Sequence, residues 1–369
     1  MGDISHLAFL CACTWRGGQS SFYLLQVLRL HPYISYLLKT ALVLALLPIF
    51  NWIYVQCFWE DDLKKYDAGV LLDLYAKQDT CDLIYFGESS NFTFHPDDTQ
   101  RLSISSLIGK RSGLRVGSLN KGAYHSGIYL PLAQRLDGED IKYVVITVNL
   151  RTLNQATIHA PIETSLQKQA RLFRPYPALW NRFMLTLNQY DNKELYIRDR
   201  EMWYDWIHDT LRSDSVAFPA PTIRAWCDLP KFVDESGVQD MAKRTLADHY
   251  IKAYAFDLDP FTNPRIADLD EMIRVCRSKG YTVVLNFLAE NTQMAEELLG
   301  EPLVFLMRKN RNTLKEYYSR SPVIFVDNLE AVPSEHYIDQ DWTTEHYDEV
   351  GRQIIADNVS KAIEKTSTD

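Results

Sequence analysis

Little in this chain points to a metal ion or to nucleic acid. Its six cysteines (Cys11, Cys13, Cys57, Cys81, Cys227, Cys276) include no Cys-x-x-Cys pair and are too sparse for a disulfide framework. They are expected as small buried thiols, with a Cys81–Cys276 bridge as the alternative outside the cytoplasm. The histidines show no metal-ligand spacing, and Glu345-His346 lacks the second histidine that a zinc helix needs. No metal or cofactor is expected. Positive charge is also short: 39 Lys and Arg against 48 Asp and Glu give a net charge of −9, with no basic run. That balance excludes a nucleic-acid partner, which needs a basic surface. Internal repeats and low-complexity tracts are absent. What is present is enough apolar material for a large core, 46% of 369 residues.

Formal charge is missing altogether from one stretch. Residues 41–59, ALVLALLPIFNWIYVQCFW, would span about 28 Å as a helix, close to the hydrocarbon thickness of a bilayer. Lys39 lies before it and Glu60-Asp61-Asp62 after it, while Trp52, Tyr54 and Trp59 suit an interfacial belt. A transmembrane helix is expected; Pro48 and Asn51 make a buried core helix the competitor. Arg16, Arg29 and Lys39 favour a cytoplasmic segment over residues 1–40 and an exported domain beyond the span. The preceding segment is long for a cleavable signal, so the helix is expected to stay as an anchor. Leu10-Cys11-Ala12-Cys13 lacks the flanks of a lipidation box.

Residues 60–79 have the apolar spacing of a helical stalk (Leu63, Val70, Leu71, Leu74, Tyr75). Strands are then expected at 83–86, 115–119, 143–148, 281–287 and 322–326, with helices at 125–136, 265–279 and 302–318. That alternation implies a parallel sheet with helices on both faces. The interval 152–262 is too long for a crossover and rich in large aromatics, among them Phe173, Tyr176, Trp180, Phe183, Tyr190, Tyr196, Trp203, Tyr204 and Trp206. It is expected as an inserted helical subdomain whose rings form a core, or a cap that stacks on sugars.

The chemistry concentrates at two places. Asp82-Leu-Ile-Tyr-Phe-Gly87-Glu88-Ser89-Ser90 reads as a buried strand that ends at a glycine and delivers Ser89 into the turn before a helix. A hydroxyl there stands in the crevice where open α/β sheets bind ligands, beside backbone N–H groups able to hold an oxyanion. Far downstream, His346 stands at the entrance of a terminal helix with apolar positions Val350, Ile354, Ile355, Val359 and Ile363, and with Asp339 and Asp341 in the loop before it. Taken singly, each is an ordinary turn serine and a solvated histidine. Together they suit a nucleophile, a base and an orienting acid.

The order of these landmarks resembles the SGNH, or GDSL-type, hydrolase superfamily over residues 80–365. Gly87-Glu88-Ser89 matches its first block, with Glu for Asp. The Ser118–Gly127 stretch matches the second, with Gly127 heading a helix and Gly122 as the alternative. Thr147-Val148-Asn149-Leu150 matches the third but keeps only its asparagine, and His346 keeps the fourth block's spacing to Gly351. Thr343 stands where that family has its acid. The resemblance implies a flavodoxin-like three-layer sandwich around a five-stranded parallel sheet. It also implies a serine nucleophile, Ser89, a base, His346, and an oxyanion hole from the N–H groups of Ser89 and Gly127 with the Asn149 side chain. Asp341, or less favoured Asp339, would orient the histidine through a longer loop.

Arg151, Glu290 and Asn291 lie near strand ends and are expected at the substrate, or else as structural pairs. The sequon Asn91-Phe92-Thr93 would place a glycan against the site, which favours a bacterial-type protein without that modification. Resemblance to membrane-anchored members implies an O-acyl esterase or acyltransferase acting on cell-envelope glycans. Its partners would be the bilayer and a membrane-bound O-acyltransferase, in a plan comparable to the D-alanylation proteins of lipoteichoic acid synthesis. The rival is a non-catalytic scaffold of the same fold that binds glycan or a membrane partner.

Overall fold

The computed structural model describes residues 32–191 and 193–368. The chain divides into two compact units, Met1–Cys57 and Phe58–Asp369. In the first, a single helix runs over Pro32–Cys57, with its side chains almost all exposed. It starts earlier than the expected 41–59 segment, taking in Lys39, and ends two residues sooner, at Cys57. Its 23-residue apolar part, Ser35–Cys57, is long and apolar enough to cross a membrane, as a signal sequence also would be. Arg16, Arg29, Cys11 and Cys13 lie outside the described residues.

The second unit is built on five parallel strands, β1 (Leu83–Gly87), β2 (Val116–Asn120), β3 (Tyr143–Val148), β4 (Thr282–Phe287) and β5 (Ile324–Asp327), in the order β2-β1-β3-β4-β5. The parallel sheet with helices on both faces is as the alternation of strands and helices implied, and its flavodoxin-like, doubly wound order is as the resemblance implied. Alternating side chains feed two cores. Ile84, Phe86, Val144, Ile146, Val283 and Leu285 face the helices Ser126–Arg135, Pro264–Ser278 and Glu301–Ser319. Leu83, Tyr85, Val145 and Val284 face Ile104–Ser112 and Glu349–Thr368. Strands covered on both sides carry near-continuous apolar runs, which is why these could be read from the sequence.

Residues 60–79 do not form a free stalk. They fold as two short helices, Trp59–Lys65 and Val70–Lys77, and bury Leu63, Leu71 and Leu74 completely in the first core. The insertion divides its aromatics. Phe173 and Trp206 are buried, but Tyr176, Trp180, Phe183, Tyr196, Trp203 and Tyr204 are exposed, so the rings are not mainly core. Cys81 and Cys276 are both buried free thiols, not a bridge.

Candidate active site

β1 ends at Gly87, where an added Cβ would meet the Tyr85 ring at 2.6 Å. Only glycine permits so close a turn there, and the chain then coils through a single 3-10 turn, Ser89–Asn91. Asn91 anchors that turn from below: its amide donates to Asn120 at the end of β2 at 2.8 Å and to Ser105 at 3.1 Å. Fully buried and doubly bonded, Asn91 is not placed to carry a glycan.

His346 arrives from the other end of the chain. Ile338 N–H donates to His346 C=O at 2.9 Å, and Tyr337 pairs antiparallel with Tyr347. The segment is therefore a short hairpin whose loop carries residues 340–345. Arg352, fully buried, fastens it to the serine side: its guanidinium donates to Thr93 O at 3.0 Å and Leu102 O at 3.0 Å, and pairs with Asp98 at 2.7 Å. Thr93 in turn donates to Ser89 C=O through both its N–H and its hydroxyl.

The outcome is a continuous hydrogen-bonded line. His346 Nε2 lies 2.9 Å from Ser89 Oγ, and His346 Nδ1 lies 2.7 Å from Asp339 Oδ2. The Thr344 hydroxyl also donates to that carboxylate oxygen. Asp339, not Asp341, is the acid on the imidazole. The hairpin register explains the correction: pairing at Ile338 puts the next residue beside His346, whereas Asp341 rides out on the loop and is exposed.

Other expected residues fare differently. Gly127 N–H is taken by His125 Nδ1 at 3.2 Å, and an added Cβ there would strike Asp268 at 2.7 Å, so it packs against the helix Pro264–Ser278 and is not an oxyanion donor. Gly122, the alternative, stands exposed in the turn that directly follows β2. Asn149 is buried at the end of β3, its Oδ1 accepting from Arg151 N–H at 2.9 Å, and it lines a small cavity with Glu88.

Arg151, Glu290 and Asn291 are structural rather than substrate-facing. Arg151 grips Glu345 with two bonds of 3.0 and 2.8 Å. Glu290 is buried and accepts from Tyr254 OH at 2.6 Å; burial, with Glu345 beside it, pushes its carboxyl well above the usual range. Asn291 caps the helix Thr292–Leu299 by accepting from Met294 N–H. Sequence reasoning missed Glu345 and the buried trio of His125, Glu163 and Arg265. Glu163 accepts from Arg265 at 2.8 Å and lies 3.1 Å from His125 Nε2.

Beside that trio a cavity of about 660 Å3 opens under the insertion, lined in part by His159, Lys193, Arg200, Glu201 and Tyr204. Among the described residues no cluster of His, Cys, Asp and Glu could hold a metal ion.

No family model matches the chain, and no curated protein does. Solved structures that it is similar to include a putative acylhydrolase from Bacteroides fragilis (12% identity, 77% of this chain and 86% of that one, TM-score 0.32). A putative lipolytic protein of the G-D-S-L family from Desulfitobacterium hafniense is 10% identical over 76% and 98% of the two chains, with a TM-score of 0.32. A GDSL-like lipase from Bacteroides thetaiotaomicron is 11% identical over 82% and 98%, with a TM-score of 0.33. None of these three is an envelope D-alanylation protein. Similarity this remote leaves the chemistry to be argued from the side chains.

Proposed function

We propose that this chain is an SGNH-type serine esterase or O-acyltransferase, anchored in a membrane by its apolar helix and acting on acyl esters of cell-envelope glycans. The observation that carries the reading is the line Ser89–His346–Asp339, with both links at hydrogen-bond length. Ser89 Oγ attacks the ester carbonyl as its proton passes to His346 Nε2. The imidazolium, steadied by Asp339, gives that proton to the departing alkoxide and leaves an acyl-Ser89. Water or a sugar hydroxyl then loses its proton to His346, attacks the acyl group and frees the serine. The oxyanion is held by the N–H groups of Ser89 and Gly122 with the Asn149 amide, whose Oδ1 is already committed to the backbone. Gly122 replaces Gly127 because it follows β2 directly, and Asn120 at that strand's end binds the serine turn.

A glycan as the substrate is supported by the exposed rings of the insertion, one of which, Tyr204, lines the cavity beside His125, Glu163 and Arg265. A membrane-bound O-acyltransferase as acyl donor, and a catalytic unit facing outward, belong to the same proposal. A distant histidine, or one without an acid, would favour the scaffold alternative; the contacts of His346 with Ser89 and Asp339 support the enzyme instead.

A fluorophosphonate probe tests the reading on the full chain. The label should map to Ser89, vanish in Ser89→Ala and fall more than about tenfold in His346→Ala. A folded protein that takes no label, or takes it elsewhere, would sink the assignment.

A further inference from the structure

Ser89 has one hydroxyl hydrogen and two neighbours placed to receive it. His346 Nε2 is 2.9 Å from Oγ and Glu88 Oε2 is 3.0 Å from it. Asp339 takes the imidazole hydrogen at Nδ1, so Nε2 of the neutral ring carries a lone pair. An ionised Glu88 would therefore compete with His346 for the same hydrogen. Where it won, Nε2 and Oγ would face each other as two acceptors.

The carboxyl cannot turn aside. Glu88 caps the serine turn, its Oε1 accepting from Ser90 N–H at 3.2 Å, and its residue surface is only 4% exposed. Nor has it a cation of its own. Three carboxyls, Glu88, Glu290 and Glu345, gather around one guanidinium, and it is Glu345 that bonds to Arg151, at Nε and Nη2. The other groups around Glu88 are the phenols of Tyr85, Tyr129 and Tyr347. Across the small cavity stand His125 and Arg265, both engaged by Glu163. A buried carboxyl so placed favours its neutral form, and burial, followed by the Glu345 charge, raises Glu88 above its ordinary value.

We propose that Glu88 is a positioning residue that works as a neutral carboxylic acid: its Oε2–H donates to Ser89 Oγ, the serine hydrogen is thereby reserved for His346, and ionisation of Glu88 disables the site. The inference rests on Ser89 being the nucleophile. Oγ then accepts one hydrogen bond from Glu88, donates one to Nε2, and keeps its second lone pair for the ester carbonyl. Glu88 gives up no proton during turnover. When it does lose its proton to solvent at high pH, its carboxylate draws the serine hydrogen away from the base.

The test is the pH profile of kcat/KM for an aryl acetate, on the full chain. Wild type should fall about tenfold per pH unit on its alkaline side. Glu88→Gln places an amide N–H where the acid O–H stood, so it should keep neutral-pH activity within about threefold and lose the alkaline fall. An unchanged alkaline fall in Glu88→Gln, or a loss beyond about 100-fold in a variant that melts like wild type, overturns the proposal. Should the variant not fold, the phosphonate labelling rate of wild type decides. A rate that rises and then falls with pH supports the proposal, and a plateau held to about pH 10 rejects it. Labelling that survives in Ser89→Ala would instead bring down the nucleophile assignment, and this inference with it.

Discussion

Asp339 Oδ2 stands 2.7 Å from His346 Nδ1 across seven residues of chain, although Asp341 is nearer in sequence. Backbone pairing, not sequence distance, decides which carboxylate serves the ring, because Ile338 is bonded to His346 and the loop swings Asp341 into solvent. Asp339→Asn should lower aryl acetate turnover by about 10²–10⁴-fold through loss of the correct tautomer, while Asp341→Asn stays within about threefold. Equal losses in the two variants would show that the loop rearranges on binding substrate.

Arg352 holds the histidine helix to the serine loop. Its guanidinium and the Asp98 carboxylate are almost completely buried, and three backbone carbonyls, of Thr93, Leu102 and Tyr347, share the cation. Removing one member of a buried pair leaves the other charge uncompensated, which costs about 3–5 kcal/mol. Arg352→Met should lower urea-unfolding stability by that amount. It should also reduce turnover, since Thr93 is bonded both to Arg352 and to Ser89.

Stability below neutral pH should report the buried pair His125–Glu163. Burial drives His125 down to about 4, and although burial opposes it, the His125 and Arg265 contacts hold Glu163 down to about 2. A depressed histidine is neutral in the fold, so protons bind the unfolded chain first. Its contribution is complete above about pH 6.5 and is lost as pH falls toward 4. Glu163 follows the same direction in a lower window, from about 4.5 toward 2. Urea titrations should therefore show stability falling from about pH 6.5 downward by about 3 kcal/mol for His125. A His125→Gln variant should lack that first step; persistence of the full step in it would assign the proton elsewhere.

How far the sequence could be read follows from these contacts. β1, β3 and β4 were legible because both faces are buried, so runs such as Val144–Val148 carry no polar alternation to confuse them. Ser89 and His346 were legible because each sits at the end of an element with its own punctuation. Asp339 was legible only as the less favoured acid, since its role depends on a hairpin register that apolar spacing does not encode. Glu345 and Arg151 meet over 194 residues, and no local pattern announces such a pair. The segment 60–79 showed its apolar face correctly, but a stripe cannot say whether it meets a core or stands alone.

The helix Pro32–Cys57 leaves a choice between an anchor and a signal sequence. Its length serves either, and so do its flanks, which set only the orientation. Arg16, Arg29 and Lys39 precede the acidic run at the end of the helix and Lys64 and Lys65 follow it, a small positive excess that favours a cytoplasmic start with the second unit outside. The segment from Cys57 to Leu63 also runs directly into a helix whose Leu63 is fully buried in the catalytic core, so a cut there would fall against packed structure. An anchor is therefore expected. The protein should stay with membranes through an alkaline carbonate wash, its N-terminal sequence should begin before Pro32, and an export-dependent reporter fused after Asp369 should be active. A soluble product beginning beyond Cys57 would make the helix a cleaved signal, and an inactive reporter on an otherwise retained protein would reverse the orientation.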